Sequence, residues 1–393
     1  MKRVRCVPRH DWREKAERLG FLFHTIDGEP YWDESAYYAF TLREIEDDLE
    51  TPTAELHALC LDLVDEVVQS EELLQRLAIP PEQWTFVRDS WFKRDPHLYG
   101  RMDFSYDGTG PARLLELNYD TPTALYESAF FQWVWLEDLR SRRELPDEAD
   151  QFNRIQEDLL EAFQHLRRHW RCTGTKDEAR FVFSSVRESE EDRGTVRYLQ
   201  DIAEQAGFRT RHTSIEDIGI DALGRFTDQS DEVVQMMFKL YPWEFLFADG
   251  FGQFLSTSPT SWVEPPWKAI LSNKGILPLL WERHAGHPNL LPALFDPDPS
   301  SELRPGWVRK PFFSREGANV SMRLPDGQIL SSEGPYDDGP CILQEFHALP
   351  DFDGNRTLVG SWVVGDRASG IGIREDSTLI TRDTSRFLPH AIL

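Results

Sequence analysis

A chain of 393 residues with 40% hydrophobic and 12% aromatic content is long enough for one large or two ordinary domains and too apolar to stay disordered. Its formal charge of −25 argues against a nucleic-acid backbone as partner and suits either a cationic substrate or plain solubility. Cys6, Cys60, Cys172 and Cys341 lie far apart with no CxxC pair, a spacing that fits neither a compact zinc site nor a disulfide framework. The basic start Met1–Arg5 lacks an apolar run behind it, and nothing approaches the length of a membrane span, so a cytoplasmic protein is the expectation.

The first 97 residues read as mainly helical. Asp11 with Glu14 resembles a capping box, and Gly20 stops the run. Residues 34–49 and 53–77 carry apolar positions at helical spacing, ended by Pro80-Pro81. From Leu98 the texture changes. Residues 99–104 alternate, Asp107-Gly108-Thr109-Gly110 supplies turn chemistry, and residues 113–118 alternate again, which predicts a β-hairpin. Residues 123–139 and 150–170 read as helices. Phe181–Phe183 is a strand candidate, followed by an acidic loop over 188–192 and a helix over 195–206. Pro278 interrupts the apolar stretch 276–281. Strand candidates then follow at 307–311, 341–346, 358–364 and 369–374, the last two joined at Gly365-Asp366, and residues 296–301 form the best boundary loop.

On the predicted hairpin, residues two apart share a face, so Arg101 and Asp103 point one way, as do Glu116 and Asn118. Carboxylate and amide oxygens are hard ligands suited to Mg2+, and an arginine beside them neutralises charge on a transferring phosphoryl group. An ordinary surface ion pair would give the same pattern. Lys274 precedes the apolar stretch at 276, and Lys310 ends a strand. The loop after it, with Ser314 and Gly317, is small enough for backbone N–H groups to approach a phosphate, although a plain hairpin turn fits it too. The strand end Gln344-Glu345-Phe346-His347 offers an edge for adenine, and Arg374 a further phosphate clamp.

In this order the chain resembles the glutathionylspermidine synthase family over nearly its whole length. The most specific pieces are Arg101-Met102-Asp103, Glu116-Leu117-Asn118-Tyr119-Asp120-Thr121, Ser272-Asn273-Lys274, and Lys310-Pro311 with Ser314-Arg315-Glu316-Gly317. The resemblance implies an α+β fold of ATP-grasp type, with a helical N-terminal region and mixed or antiparallel sheets. It implies one synthetase unit over 1–393, with sub-regions 1–97 (helical), 98–265 (substrate and metal) and 266–393 (ATP). It implies an ATP-dependent ligase that joins a small acid to an amine through an acyl phosphate. Asp103, Glu116 and Asn118 would hold Mg2+, and Arg101 would be catalytic. Lys274, Lys310, Ser314, Gly317, Gln344, Glu345, Phe346, His347, Arg374, Leu379 and Ile380 would hold ATP. Thr121, Glu191 and Asp192 would bind glutathione or another peptide and a polyamine or another amine.

The chain departs from bifunctional members in having no room for their amidase domain, so hydrolysis of the product is not expected. It also departs in the segment Thr381-Arg382-Asp383-Thr384-Ser385-Arg386-Phe387, where Arg386 stands about where an acidic amine-holder belongs and would repel an ammonium. Two alternatives stay open at this point: a ligase of the same fold acting on a different acid and amine, and a nucleotide-binding protein without ligase turnover.

Overall fold

The computed structural model describes residues 1–26, 28–170, 179–336, 339–381 and 385–393; Cys172 and the residues Arg382, Asp383 and Thr384 lie outside them. Helices pack around several sheets. The largest is antiparallel, in the order Arg386–Leu388, Arg367–Asp376, Asn355–Val364, Tyr99–Ser105, Arg113–Asn118, so the predicted hairpin pairs with strands some 250 residues away in sequence. A five-stranded antiparallel sheet contains Ala293–Phe295, Cys341–Glu345, Trp307–Pro311, Ser321–Arg323 and Ile329–Ser331.

A third sheet is wholly parallel: Ser261–Val263, Met236–Leu240, Arg180–Ser185 and Arg209–His212. Its strands read as short apolar runs such as Phe181-Val182-Phe183 and Met236-Met237-Phe238, because both faces are covered. The label of mixed or antiparallel sheets missed this layer. Long-range parallel pairing leaves no turn signal between the partners.

Several local expectations change. Residues Ala36–Phe40, expected in a helix, form a strand between Lys2–Arg5 and His390–Ile392. Tyr37, Tyr38 and Phe40 are buried there, and a β-prone aromatic run that can be covered on both faces prefers the pleat. The helix Trp12–Arg18 starts after Asp11, but Asp11 makes no side-chain cap; the capping box lies at Thr41 and Glu44. The stretch 53–77 is two helices, Thr51–Val67 and Glu71–Arg76, with Ser70 capping the second. The acidic residues Glu190, Glu191 and Asp192 are the first turn of the helix Glu190–Gln205, capped by Ser189, rather than a loop. Carboxylates there are favoured by the helix dipole. Pro278 does not interrupt Ile276–Arg283, since it sits in the first turn where its missing N–H is an orphan anyway.

Two large apolar clusters, one running from Ala36 to Leu388 and the other from Trp12 to Ala391, hold these layers together. Inside them lie ion pairs shielded from water. Lys239 donates to Asp120 at 2.5 Å, and the other Asp120 oxygen accepts from the Trp243 backbone at 2.9 Å. Lys268 pairs with Glu264 at 2.9 Å. The Asp120 pair fixes the chain immediately after Asn118. Removing one partner of such a pair strands the other charge, so Lys239→Met is expected to lower unfolding stability by about 3–5 kcal/mol in urea denaturation. An unchanged midpoint would show that the Lys239–Asp120 pair does not hold the fold.

Candidate active site

The hairpin places Arg101 opposite Asn118 and Asp103 opposite Glu116. Gly360, on the next strand, lies opposite Asp103, and a Cβ there would come within 2.9 Å of Arg101 Cδ. Glycine therefore makes room for the guanidinium. Arg101 donates to both Asp103 oxygens at 2.6 and 2.9 Å and to the Thr123 carbonyl at 2.7 Å. The Asn118 amide donates to Asp103 at 3.0 Å and to Glu116 at 3.2 Å. Three oxygen-bearing side chains thus converge on one point. The set fits a magnesium ion, because a half-turn of the amide would add its oxygen to the two carboxylates.

From the other side come the two lysines. Lys274 Nζ stands 3.4 Å from Glu116 and donates to the Ser314 carbonyl. Its loop is fixed by Asn273, whose amide bonds the Leu77 carbonyl and the Gly275 N–H. Lys310 Nζ donates to Gln344 Oε1 at 2.7 Å and to the Leu115 carbonyl at 3.0 Å. Burial alone would raise the Glu116 carboxyl. The ammonium groups of Lys274 and Lys310, helped by the Asn118 amide and Arg101, overcome this and hold it at about 2. Burial pushes Lys310 down to about 8, with Glu116 resisting and Lys274 adding to the fall. Burial also raises Asp103 against the pull of Arg101.

Beyond the lysines opens a narrow cleft. Val308, Lys310, Met322 and Gln344 line it from the five-stranded sheet, and Leu379 and Ile380 lie across from them. Its apolar part is a separate small cluster of Val308, Val320 and Met322 packed by Phe346, Leu379 and Ile380. Gly317 has φ +71°, and a Cβ on it would fall 2.6 Å from both the Ile380 side chain and the Thr381 carbonyl. Only glycine allows this approach. Ser314, Glu345 and His347 line the same cleft.

A second cleft shares Glu116, Gly317, Leu358 and Thr381 with the first. Its walls include Arg101, Asp103, Asn118, Thr121, Asp192, Arg315 and Arg374. Arg315 donates to Thr121 Oγ1 at 3.0 Å and to Glu244. Asp192 is raised to about 6 by burial, reinforced by Glu316 and moderated by the Ser189 hydroxyl and Arg315. Glu191 does not line the cleft; it sits behind it, facing Glu127 and Arg374.

The structure thus gathers the predicted residues into two joined clefts, with Glu191 set back from the wall. Arg386 needs correction as an obstacle to a cation. It opposes Glu375 in the strand register, on the side away from Arg374, and binds Glu375 at 3.0 Å, Asp33 at 2.6 Å and Asn355 at 2.6 Å. Its charge is neutralised there. Arg315 was not assigned a role from sequence. It stood inside a quoted motif, which was the signal available.

A model of the family described as glutathionylspermidine synthase preATP-grasp matches residues 3–393. The chain belongs to this family of ATP-dependent acid–amine ligases. A putative acid–amine ligase of Haemophilus influenzae is 39% identical, covering 99% of this chain and 99% of that protein. Trypanothione synthetase of Crithidia fasciculata is 29% identical over 85% of this chain, and the bifunctional glutathionylspermidine synthetase/amidase of Escherichia coli 26% over 96%. The alignments cover only 53% and 63% of those two longer proteins. Among solved structures, a glutathione synthetase-like effector from Globodera pallida shares the fold, with TM-score 0.56 and 13% identity, covering 98% of this chain and 96% of that one. No helix among the described residues is long and apolar enough to cross a membrane.

The lysine clamp has a measurable consequence. Glu116 titrates at about 2 in the folded chain against 4.5 normally, so its stabilising contribution is complete above about 4.5 and is lost as pH falls toward 2. In Glu116→Gln the acid fall of the urea midpoint is expected to be shallower. An unchanged acid limb would show that the lysines do not hold this carboxyl.

Proposed function

We propose that the chain forms an amide by activating a small carboxylic acid with ATP and passing the acyl group to an amine, in an ATP-grasp arrangement of the two joined clefts. The observation that carries this is the junction at Glu116. The narrow cleft offers an apolar slot for a flat base, then Lys310 and Lys274 for phosphates, and ends where Arg101, Asp103 and Asn118 begin. A nucleotide lying base-first in the slot would point its terminal phosphate at that group.

A carboxylate resists amine attack because its leaving group is an oxide. Transfer of the terminal phosphoryl group breaks the bond to ADP and forms an acyl phosphate, from which inorganic phosphate leaves as the C–N bond forms. Asp103, Glu116 and Asn118 would hold magnesium, which when bound neutralises charge on the phosphates. Arg101, already set by Asp103 and the Thr123 carbonyl, aims a fixed cation at the place where charge builds. Lys274 and Lys310 grip the nucleotide, and the Gly317 loop, closed on Ile380 and Thr381, keeps water from the reactive acyl group. Arg374, on the strand Arg367–Asp376, lines the second cleft.

We assign the acid to the glutathione or peptide class, at the Thr121 and Arg315 side of the second cleft, and the amine to the polyamine class. The names of the relatives support both assignments. The neutralised Arg386 removes the main objection to a cationic amine.

The decisive experiment screens acid–amine pairs, glutathione with spermidine first, for amine-dependent ADP release, with mass spectrometry of the amide. If nucleotide binds and no pair raises ADP release, the chain is not a ligase for these classes. Arg101→Lys is expected to cut turnover by about 10²–10³-fold while nucleotide affinity changes little. A parallel loss of nucleotide binding would move Arg101 from the reaction to the fold.

A further inference from the structure

A further chamber opens on one face of the parallel sheet. Its floor is apolar and buried, built from Ile218, Phe226, Met237, Leu255 and Trp262. Met237 and Trp262 are register partners on neighbouring strands, so both side chains point to the same face. Trp262 is 5% exposed, and its indole N–H meets no acceptor among the described residues. The rim is open to solvent, with Tyr241, Phe251 and the carboxylates of Glu216 and Asp249 around it. The chamber measures about 190 Å³. An engineered apolar cavity of about 150 Å³ takes up benzene, so an aryl ring or a branched alkyl group fits here.

Two features join the chamber to the second cleft. Tyr241 stands in the walls of both. Val186 lines the cleft, and the next residue, Arg187, donates its backbone N–H to Glu216 on the chamber rim at 3.2 Å. Both links follow directly on the carboxyl ends of parallel strands, Arg180–Ser185 and Met236–Leu240, where open α/β sheets hold their ligands. On the cleft side the wall continues apolar through Leu240, Pro242 and Phe245, whose ring centre lies 5.6 Å from that of Tyr241. Phe245 and Phe251 leave 38% and 42% of their surface in water. Large aromatic surface exposed beside a pocket marks a place where a ligand is met.

We propose that this chamber receives a bulky apolar side chain, aryl or branched alkyl, of the acid substrate, and so selects among peptides by a group remote from the reacting carboxyl. This rests on the ligase reading and narrows the acid within the peptide class. Glutathione carries only a thiol-bearing methylene in place of such a group. A leucyl, phenylalanyl or tyrosyl residue buries apolar surface in the chamber and gives its wall atoms close partners. The Trp262 N–H is a polar handle in the floor, and it favours a group that brings an acceptor, as a tyrosyl hydroxyl does. Glu216 and Asp249 at the mouth repel a carboxylate side chain, so acidic residues are excluded from the same position.

The test supplies the full chain with ATP and hydroxylamine, which attacks the acyl phosphate in place of the amine and releases inorganic phosphate as the hydroxamate forms. Tripeptides with glycine, leucine, phenylalanine or tyrosine at each position in turn are compared by kcat/KM, and their binding is followed by calorimetry. At one position the apolar peptides are expected to exceed triglycine and glutathione about tenfold or more, in turnover and in affinity. Ile218→Phe, which takes room from the floor, is expected to erase that ratio. Phe251→Ala, on the exposed rim, should lower it and serves if Ile218→Phe fails to fold. A preference that survives both substitutions, or no peptide binding at all, overturns the proposal. So does a preference seen only between phenethylamine and ethylamine as acceptors, because the chamber then takes the amine. Hydroxamate made equally from every peptide sinks this inference and leaves the ligase reading intact. Apolar-selective, Ile218-dependent binding without hydroxamate or ADP does the reverse.

Discussion

Glu116 is the hinge of the site's electrostatics. It lies between the ammonium groups of Lys274 and Lys310 on one side and Asn118, Asp103 and Arg101 on the other, and belongs to both clefts. Two lysines facing one phosphate-sized space repel each other when it is empty. A carboxylate held ionised between them makes the empty state tolerable. A nucleotide arriving with magnesium would supply the countercharge for the lysines and a partner for the carboxylates, so the apoprotein already carries the complementary pattern. Preorganisation of this kind keeps reorganisation low when charge develops.

The fold serves that arrangement in layers. The hairpin is ordinary in itself, but Asn355–Val364 pairs beside it and contributes a glycine where Arg101 must lie. The buried Lys239–Asp120 pair ties down the chain one residue beyond Tyr119, so Asn118 cannot drift from Asp103. Across the junction, a glycine in the left-handed region lets the loop after Lys310 touch Ile380 and Thr381. The two glycine contacts are close approaches that a larger side chain would prevent.

Carboxylates serve opposite ends in the two clefts. Glu116 is driven down by cations and stays charged, whereas Asp192 is driven up by burial and Glu316, and Glu191 by burial and Glu127. The same residue type is a fixed anion in one place and a proton-holding group a short way off. Environment alone makes the difference.

Much of the site was legible in the residues. Alternation over 99–104 and 113–118 with a glycine-rich turn between them dictated the hairpin, and period two put Arg101, Asp103, Glu116 and Asn118 on one face. These are local rules, and local geometry obeyed them. What lay out of reach depended on partners distant in the chain. Residues 36–40 became a strand because Lys2–Arg5 and His390–Ile392 flank them, and the parallel sheet left no turn to read. Arg386 looked like a cation in the amine's way until the register with Glu375 turned it to the far side. Glu127 carried no signal in the sequence, since its complete burial is a property of packing. Sequence specifies which chemical groups are present and how neighbours along the chain point; the tertiary structure alone decides which charges meet and which are removed from water, because those energies depend on distance and dielectric.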